Sequence, residues 1–498
     1  MGPMSLGTDE GELAYHRGRG RGDDLMHAHS APLSRRRLLQ LGAVASAAGL
    51  AACATPMPSF TPRQSASARP AESRTPDPSP TPDPTPDPTA VPTRRPATGR
   101  ILYRDGALAD GRSPTLRRNV SILVEEGRIA WIRPADGEED VGDASVVDCA
   151  GATFVPGMVD CHSHVTGPGG ANWIERFNDP PETLLAVAEH NGRIGLAAGV
   201  RWMRDVGSPI GIDPIDGRER ALALGVRDRW AGRDDRPYLR AAGSWLFKRG
   251  VSPVQSAIEA ETADELLAAA IGQLDAGADL VKLYMDGPDV NVSPWTADEV
   301  SRVAVAVHGR GARIAAHSGR LNGAREAVLG GVDSIEHGFD LDAGLAIEMA
   351  RRGTTLVSTL AVMRSWLSFG DTTSMERFAG EAGRSATQAR LEQGEASVRI
   401  ARDAGVAIAT GSDFGGGSLR ANQLAWEVTS LVTAGVEPVD ALAAATWRGG
   451  ELLGEEGAGV IRDGGPADFF LVHGDPLSDP ESLWRVWRTG WELGELSS

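Results

Sequence analysis

Between residue 100 and about 155 apolar and polar positions alternate in short runs, "RILYRDGAL", "NVSILVEEGRIAWIRP" and "ASVVDCAGATFVPG". Val120, Ile122 and Val124 fall on one side of such a run, and "EEG" marks a turn, so this stretch predicts half-exposed strands. After Gly157 the pattern changes. Eight short, almost continuously apolar segments recur: "MVDCHSHV", "VRWMRDVG", "RPYLRAAGSWL", "ADLVKLYMD", "ARIAAHSG", "VDSIEHG", "TTLVSTLAV" and "VAIATGSDFG". Apolar runs of this length are what strands buried on both faces of a parallel sheet show. Helical stretches closed by glycine, such as "TADELLAAAIGQLDAGA" and "REAVLGGV", separate them. Eight strand–helix units predict an α/β fold, a (β/α)8 TIM barrel over residues 157–454, whose chemistry would sit at the C-terminal ends of the strands. "PADFFLVHGDP" at 466–476 returns to the strand-and-turn pattern. A small flanking β-sandwich domain built from both chain ends, residues 100–156 and 455–498, is therefore expected.

The first hundred residues carry no such pattern. After an unstructured leader (1–33), "SRRRLLQLGAVASAAGLAAC" (34–53) places consecutive arginines before a mildly apolar run too short to span a bilayer well. It resembles a twin-arginine export signal. Its end, Leu50-Ala51-Ala52-Cys53, resembles a lipoprotein cleavage site with Cys53 as the lipid-attachment residue. Residues 54–99 form a Pro/Thr/Ser/Asp-rich linker, a semi-rigid solvated spacer. The expectation is an extracytoplasmic protein, held to the cell membrane only through an N-terminal lipid. His27 and His29 precede the signal and are set aside as metal ligands.

Composition narrows the class. The chain has 498 residues, 41% hydrophobic and 23% charged, which is ordinary globular material. A formal charge of −17 argues against nucleic acid as a partner, since phosphate backbones reward clustered Lys and Arg. Three cysteines, Cys53, Cys149 and Cys161, make no disulfide framework, and the latter two read as small core residues. The expected partner is a small-molecule substrate; a homo-oligomer stays open.

Chemistry-bearing residues concentrate at the ends of the apolar segments. The first ends in His162-Ser163-His164, and residues two apart on a strand point the same way. The fourth carries Lys282, the fifth ends in His317, the sixth in His337 and the eighth in Asp413. A lone histidine in such a place is usually a core residue; four with an aspartate suit zinc or a similar divalent ion. His190, His308 and His473 fall elsewhere and read as structural. Lys282 lies between Val281 and Leu283, where an unpaired cation would be costly. An ammonium has no lone pair to offer a metal. A neutral amine can add CO2 to become a carbamate, an anion whose two oxygens can bridge two metals. The competing reading is a lysine that reaches solvent or pairs with Asp286.

"PGMVDCHSHV", "ADLVKLYMDG", "RIAAHSG", "GVDSIEHG", "VAIATGSDFG" and "GGPADFFLVHGDP" resemble the metal-dependent amidohydrolase superfamily, in its imidazolonepropionase-like and prolidase-like branch. The resemblance implies two divalent metal ions, zinc the leading expectation. One would be held by His162, His164, Asp413 and carboxylated Lys282, the other by that carbamate, His317 and His337. It implies hydrolysis of an amide-type C–N bond (in an N-acyl amino acid, dipeptide or cyclic amide) by a metal-bridging hydroxide, with Asp413 as the catalytic proton shuttle. Relatives often carry Tyr or His two positions after the fifth-strand histidine. Here that position is Gly319, followed by Arg320, which departs from the dipeptidase pattern. Tyr284, Arg320, Arg364 and Trp366 are expected substrate contacts, the last two on the loop after the seventh strand. "TWRGGELLG" replaces the customary motif near the C-terminal helix and reads as a packing change. Alternatives are a lactone or ester hydrolase, a mononuclear deaminase of the same superfamily, and a non-catalytic solute-binding lipoprotein.

Overall fold

The computed structural model describes residues 99–491 apart from positions 139 and 290. The leader, the export signal with Cys53 and the linker through residue 98 lie outside the described residues. Among the described residues no helix is long and apolar enough to cross a membrane.

Five strands open the described chain: β1 (Arg100–Leu108), β2 (Arg117–Glu125), β3 (Arg128–Pro134), β4 (Ser145–Asp148) and β5 (Ala152–Pro156). The strands that follow are β6 (Met158–Ser163), β7 (Val200–Asp205), a short hairpin of β8 (Ile210–Ile212) with β9 (Glu219–Ala221), β10 (Tyr238–Ala241), β11 (Trp245–Lys248), β12 (Ile258–Ala260), β13 (Leu280–Tyr284), β14 (Arg313–Ser318), β15 (Ser334–His337), β16 (Thr355–Ser358) and β17 (Ile408–Thr410). Two more, β18 (Phe469–His473) and β19 (Val486–Thr489), close the described chain. The two ends of the described chain share one seven-stranded sheet in the order β19-β18-β5-β1-β2-β3, with β4 on β1. The expected β unit from both ends thus takes the form of one sheet. Its core includes Tyr103, Ile122, Phe154 and Phe469, the aromatic rings meeting edge to face.

Between these ends run two parallel sheets, β10-β7-β6 and β12-β11-β13-β14-β15-β16-β17. The eight apolar segments of the sequence all appear, with one difference. The third is two strands, β10 and β11, because the chain turns between them at Gly243, whose φ of +80° suits glycine. Asp279 N donates to Ala241 O at 2.8 Å, linking the edge of the first sheet to the start of β13. At the other margin Asp413 N donates to His162 O at 2.7 Å and His164 N to Phe414 O at 2.9 Å.

Helices follow the strands for visible reasons. The one over Ala297–His308 starts with a reciprocal cap between Thr296 and Glu299 and buries Val300, Val303, Ala304 and Val307 at helical spacing. The one over Leu321–Gly330 stops at Gly331, whose φ of +92° terminates it. After β16 the expected loop is helical, Leu360–Phe369 followed by the long helix Glu381–Asp403. Its apolar residues Leu360, Ala361, Val362 and Met363 pack inward, and that burial fixes the segment.

Candidate metal centre

The strand ends bring the six expected ligands to one place. His162 and His164 leave β6, Lys282 lies on β13, His317 and His337 end β14 and β15, and Asp413 follows β17. The ring centroids of His162 and His337 are 4.7 Å apart, those of His317 and His337 4.6 Å. Asp413 Oδ1 lies 3.5 Å from His162 Nε2 and 3.4 Å from His164 Nε2. One atom from each of these three residues falls within a 4.8 Å cluster. His337 and Asp413 sit in left-handed backbone, φ +72° and +52°, which strains non-glycine residues and is tolerated where function demands a direction. Glycine makes the room: a Cβ at Gly416 would collide with the His164 ring and come within 2.7 Å of Asp413 Oδ1.

Each imidazole is oriented by its second nitrogen. His162 Nδ1 meets Glu336 Oε2 at 2.7 Å, and His164 Nδ1 meets Gly207 O at 2.7 Å. His337 Nδ1 meets Thr359 Oγ1 at 2.8 Å, and His317 Nε2 faces Asp286 Oδ2 at 3.3 Å. A nitrogen that donates its proton to such an acceptor leaves the other as a bare lone pair, the tautomer a metal needs. Burial, with nearby positive charge, pulls His162 and His337 well below the ordinary imidazole range, so both are neutral. The four rings and Asp413 fit a divalent ion in donor type and in free lone pairs.

Lys282 does not reach solvent, being 1% exposed, and its Nζ has no hydrogen-bond partner among the described residues. Nor does it pair with Asp286, whose oxygens take Gly319 N at 2.8 Å, Ser318 Oγ at 3.0 Å and His317. Burial pulls its amine from the usual 10.5 down to about 8. An orphaned, readily neutralised amine among metal-type donors is what the carbamate reading requires.

The six residues line the floor of a cavity of about 510 Å³. Tyr284 and Trp366 line it as expected, Tyr284 stacked on His317 at 3.8 Å, and Arg320 stands at its wall. Arg364 does not line it. Two positions before Trp366 on the same helix it points elsewhere, pairing with Glu395 at 2.6 Å. His308 pairs with Asp333 and His473 stacks on Trp487, in keeping with structural roles, while His190 is exposed. Cys149 and Cys161 are separate buried thiols.

Several residues of the site were not anticipated. Glu336 is fully buried, holds His162, and is itself held by Arg204 at 2.8 Å and Ser334 Oγ at 2.5 Å. Its place beside His337 in "SIEHG" was its only signal. Asp160 accepts from Ser412 N, Ser412 Oγ and His162 N beside the expected ligands. Arg390 reaches the cavity from the long helix, where no strand-end pattern could reveal it.

Residues 153–490 match the Amidohydrolase family. The chain belongs to that family and is a hydrolase of carbon–nitrogen bonds. It is 29% identical over 373 residues to an uncharacterised protein of Mycobacterium tuberculosis, covering 73% of this chain and 88% of that one. It is 25% identical over 401 residues to the imidazolonepropionase of Saccharopolyspora erythraea, covering 75% and 90%. A solved Xaa-Pro dipeptidase with methionine bound in its active site superposes with a TM-score of 0.66 at 24% identity, covering 78% of this chain and 97% of that one. That likeness shows a shared TIM-barrel-like α/β fold.

Proposed function

We propose that the protein hydrolyses an amide-type C–N bond in a small molecule (an N-acyl amino acid, dipeptide or cyclic amide) with two divalent metal ions, zinc foremost. The observation that carries this reading is the unpartnered, buried Lys282 amine among four oriented imidazoles and Asp413. Neutral Lys282 adds CO2 at its amine nitrogen and releases one proton to give a carbamate anion. His162, His164, Asp413 and the Lys282 carbamate would hold the first ion; that carbamate, His317 and His337 would hold the second. When bound, the ions supply a water of lowered pKa and polarise the scissile carbonyl. Asp413 takes the proton of the attacking water at a carboxylate oxygen. The water oxygen bonds to the carbonyl carbon, the C–N bond breaks, and Asp413 returns the proton to the departing nitrogen.

The same reading treats the two parallel sheets as arcs of one eight-stranded barrel over 157–454, carrying a composite β domain from 100–156 and 455–498. Support comes from the hydrogen bonds that join β6 to the residues after β17 and Ala241 to Asp279. Export and a lipid anchor at Cys53 are proposed from sequence alone.

Asp413→Asn tests the shuttle. The variant is expected to keep about two metals per chain by elemental analysis, and to lose hydrolysis by about a thousandfold or more. An active variant would refute the role of Asp413. The tight cluster of His162, His164 and Asp413 alone favours a second reading, a one-metal deaminase; one metal per chain and ammonia release from a ring amine would decide for it.

A further inference from the structure

Two guanidinium groups stand at the same wall of the cavity. Arg390 comes from the helix Glu381–Asp403 and donates to Gly319 O, the residue after Ser318 at the end of β14. It also donates to Gln393 Oε1 at 3.3 Å and lies over the Phe339 ring at 5.2 Å. Phe339 stacks in turn on His337 at 5.7 Å. Arg320, one residue beyond Gly319, lines the same wall. Gly319 is what admits Arg390, since a Cβ there would collide with the guanidinium. Neither arginine forms an ion pair with a described residue. Burial, and then the adjacent Arg320 charge, pull Arg390 below its ordinary range, so the pair sits in mutual repulsion. Asp286 and Asp340 are the facing carboxylates, and both are engaged: Asp286 by His317, Ser318 and Gly319, Asp340 by Gln393 and Leu321 N. A locked cation beside a second, exposed one, neither ion-paired with a described residue, suits an anion from outside.

The opposite side of the floor is different. Phe177 and Trp245 flank His164, with ring centroids 5.9 Å and 5.5 Å from it, and pack into one cluster with Trp173 and Phe247. That wall offers ring faces and almost no charge.

Resting on the hydrolase reading above, we propose that Arg390 and Arg320 are the specificity-determining seat for a carboxylate. The substrate is then an amide with a free carboxylate on the His317–His337 side of the scissile bond and a ring-sized apolar acyl group against Phe177 and Trp245. Arg390 is the fixed member, locked by Gly319 O and Phe339. Arg320 is the adjustable one.

The test uses the full-length, metal-containing protein and two matched probes, an N-benzoyl amino acid and its methyl ester. Benzoate release reads C–N cleavage in both, and quenching of tryptophan fluorescence reads binding without turnover. The acid is expected to bind and react about 30-fold better than the ester, the size of a charge-assisted hydrogen-bond set. Arg390→Met and Arg320→Met should each reduce that preference to within about threefold, through KM rather than kcat. Arg390→Lys should retain part of it, keeping charge but losing the fork. If Arg390→Met fails to fold, Arg320→Met decides, since that guanidinium makes no hydrogen bond to the described residues. An ester bound as well as the acid by the unaltered protein, or a preference that survives both substitutions, overturns the seat while leaving the hydrolase reading intact. No benzoate from either probe counts against that reading for this class, and the acid-over-ester binding ratio still decides the seat.

Discussion

An imidazole offers a metal one nitrogen, so what its other nitrogen touches decides whether the first is usable. Glu336 does this for His162 from a fully buried position, with Arg204 clamping the carboxylate in place. Glu336→Gln keeps the shape but weakens the acceptor and leaves Arg204 without its counter-charge. Metal affinity is expected to fall by about 10–100-fold, measured by competition with a chromophoric chelator; undiminished affinity would show that His162 is oriented without this carboxylate. The six residues proposed as ligands were legible, because a polar residue at the end of an apolar strand is conspicuous. Glu336 was not: it lies inside the strand, where a single sequence gives no way to separate a buried support from a surface carboxylate. Arg390 was hidden differently, on an amphipathic helix among other charged residues. Arg364 looked equally eligible, and only the helical phase at Trp366 sends it toward Glu395 instead.

At the scale of elements, strand positions were readable to within a few residues, since near-continuous apolar runs have few other homes. The split of the third segment at Gly243 was not, because "RAAGSW" reads as one run until the left-handed turn is seen. The stretch expected as loop after β16 begins with the helix Leu360–Phe369, which opens without a side-chain cap and so carries no start signal in the sequence. One cross-element tie there has a pH signature. Glu427, on the helix Leu424–Thr433, accepts Ser358 Oγ at 2.6 Å and Ala361 N at 2.7 Å, pinning the end of β16 and the helix that follows. Burial raises its carboxyl to about 7 from 4.5. Between those values the folded chain holds a proton that the unfolded chain releases, so this group's contribution falls as pH rises from about 4.5 to about 7. Glu427→Gln removes the titration. Scanning calorimetry is expected to show a shallower fall in Tm across that window for the variant than for the unaltered protein; parallel curves would mean that Glu427 is not the titrating group.

For the molecule as a whole, the sheet built from both ends of the described chain is also tied to the parallel sheets. Arg201 on β7 and Asp468 just before β18 form a buried pair at 2.6 Å, far apart in sequence. Asp468→Ala strands the guanidinium in an apolar setting. Arg201 keeps Arg236 O and Tyr238 Oη as partners, so a loss of about 3 kcal/mol is expected, at the low end for such pairs. Denaturant titration should show it, with metal content unchanged; a neutral outcome would mean that those remaining partners suffice.

The join between β6 and the residues after β17 is made by backbone atoms of His162, His164 and Asp413 themselves. The clasp of the architecture and the seat of its chemistry are therefore the same few peptides. Heat that loosens one must loosen the other, so this protein has little scope to wear out gradually: it should stay fully competent until it comes undone.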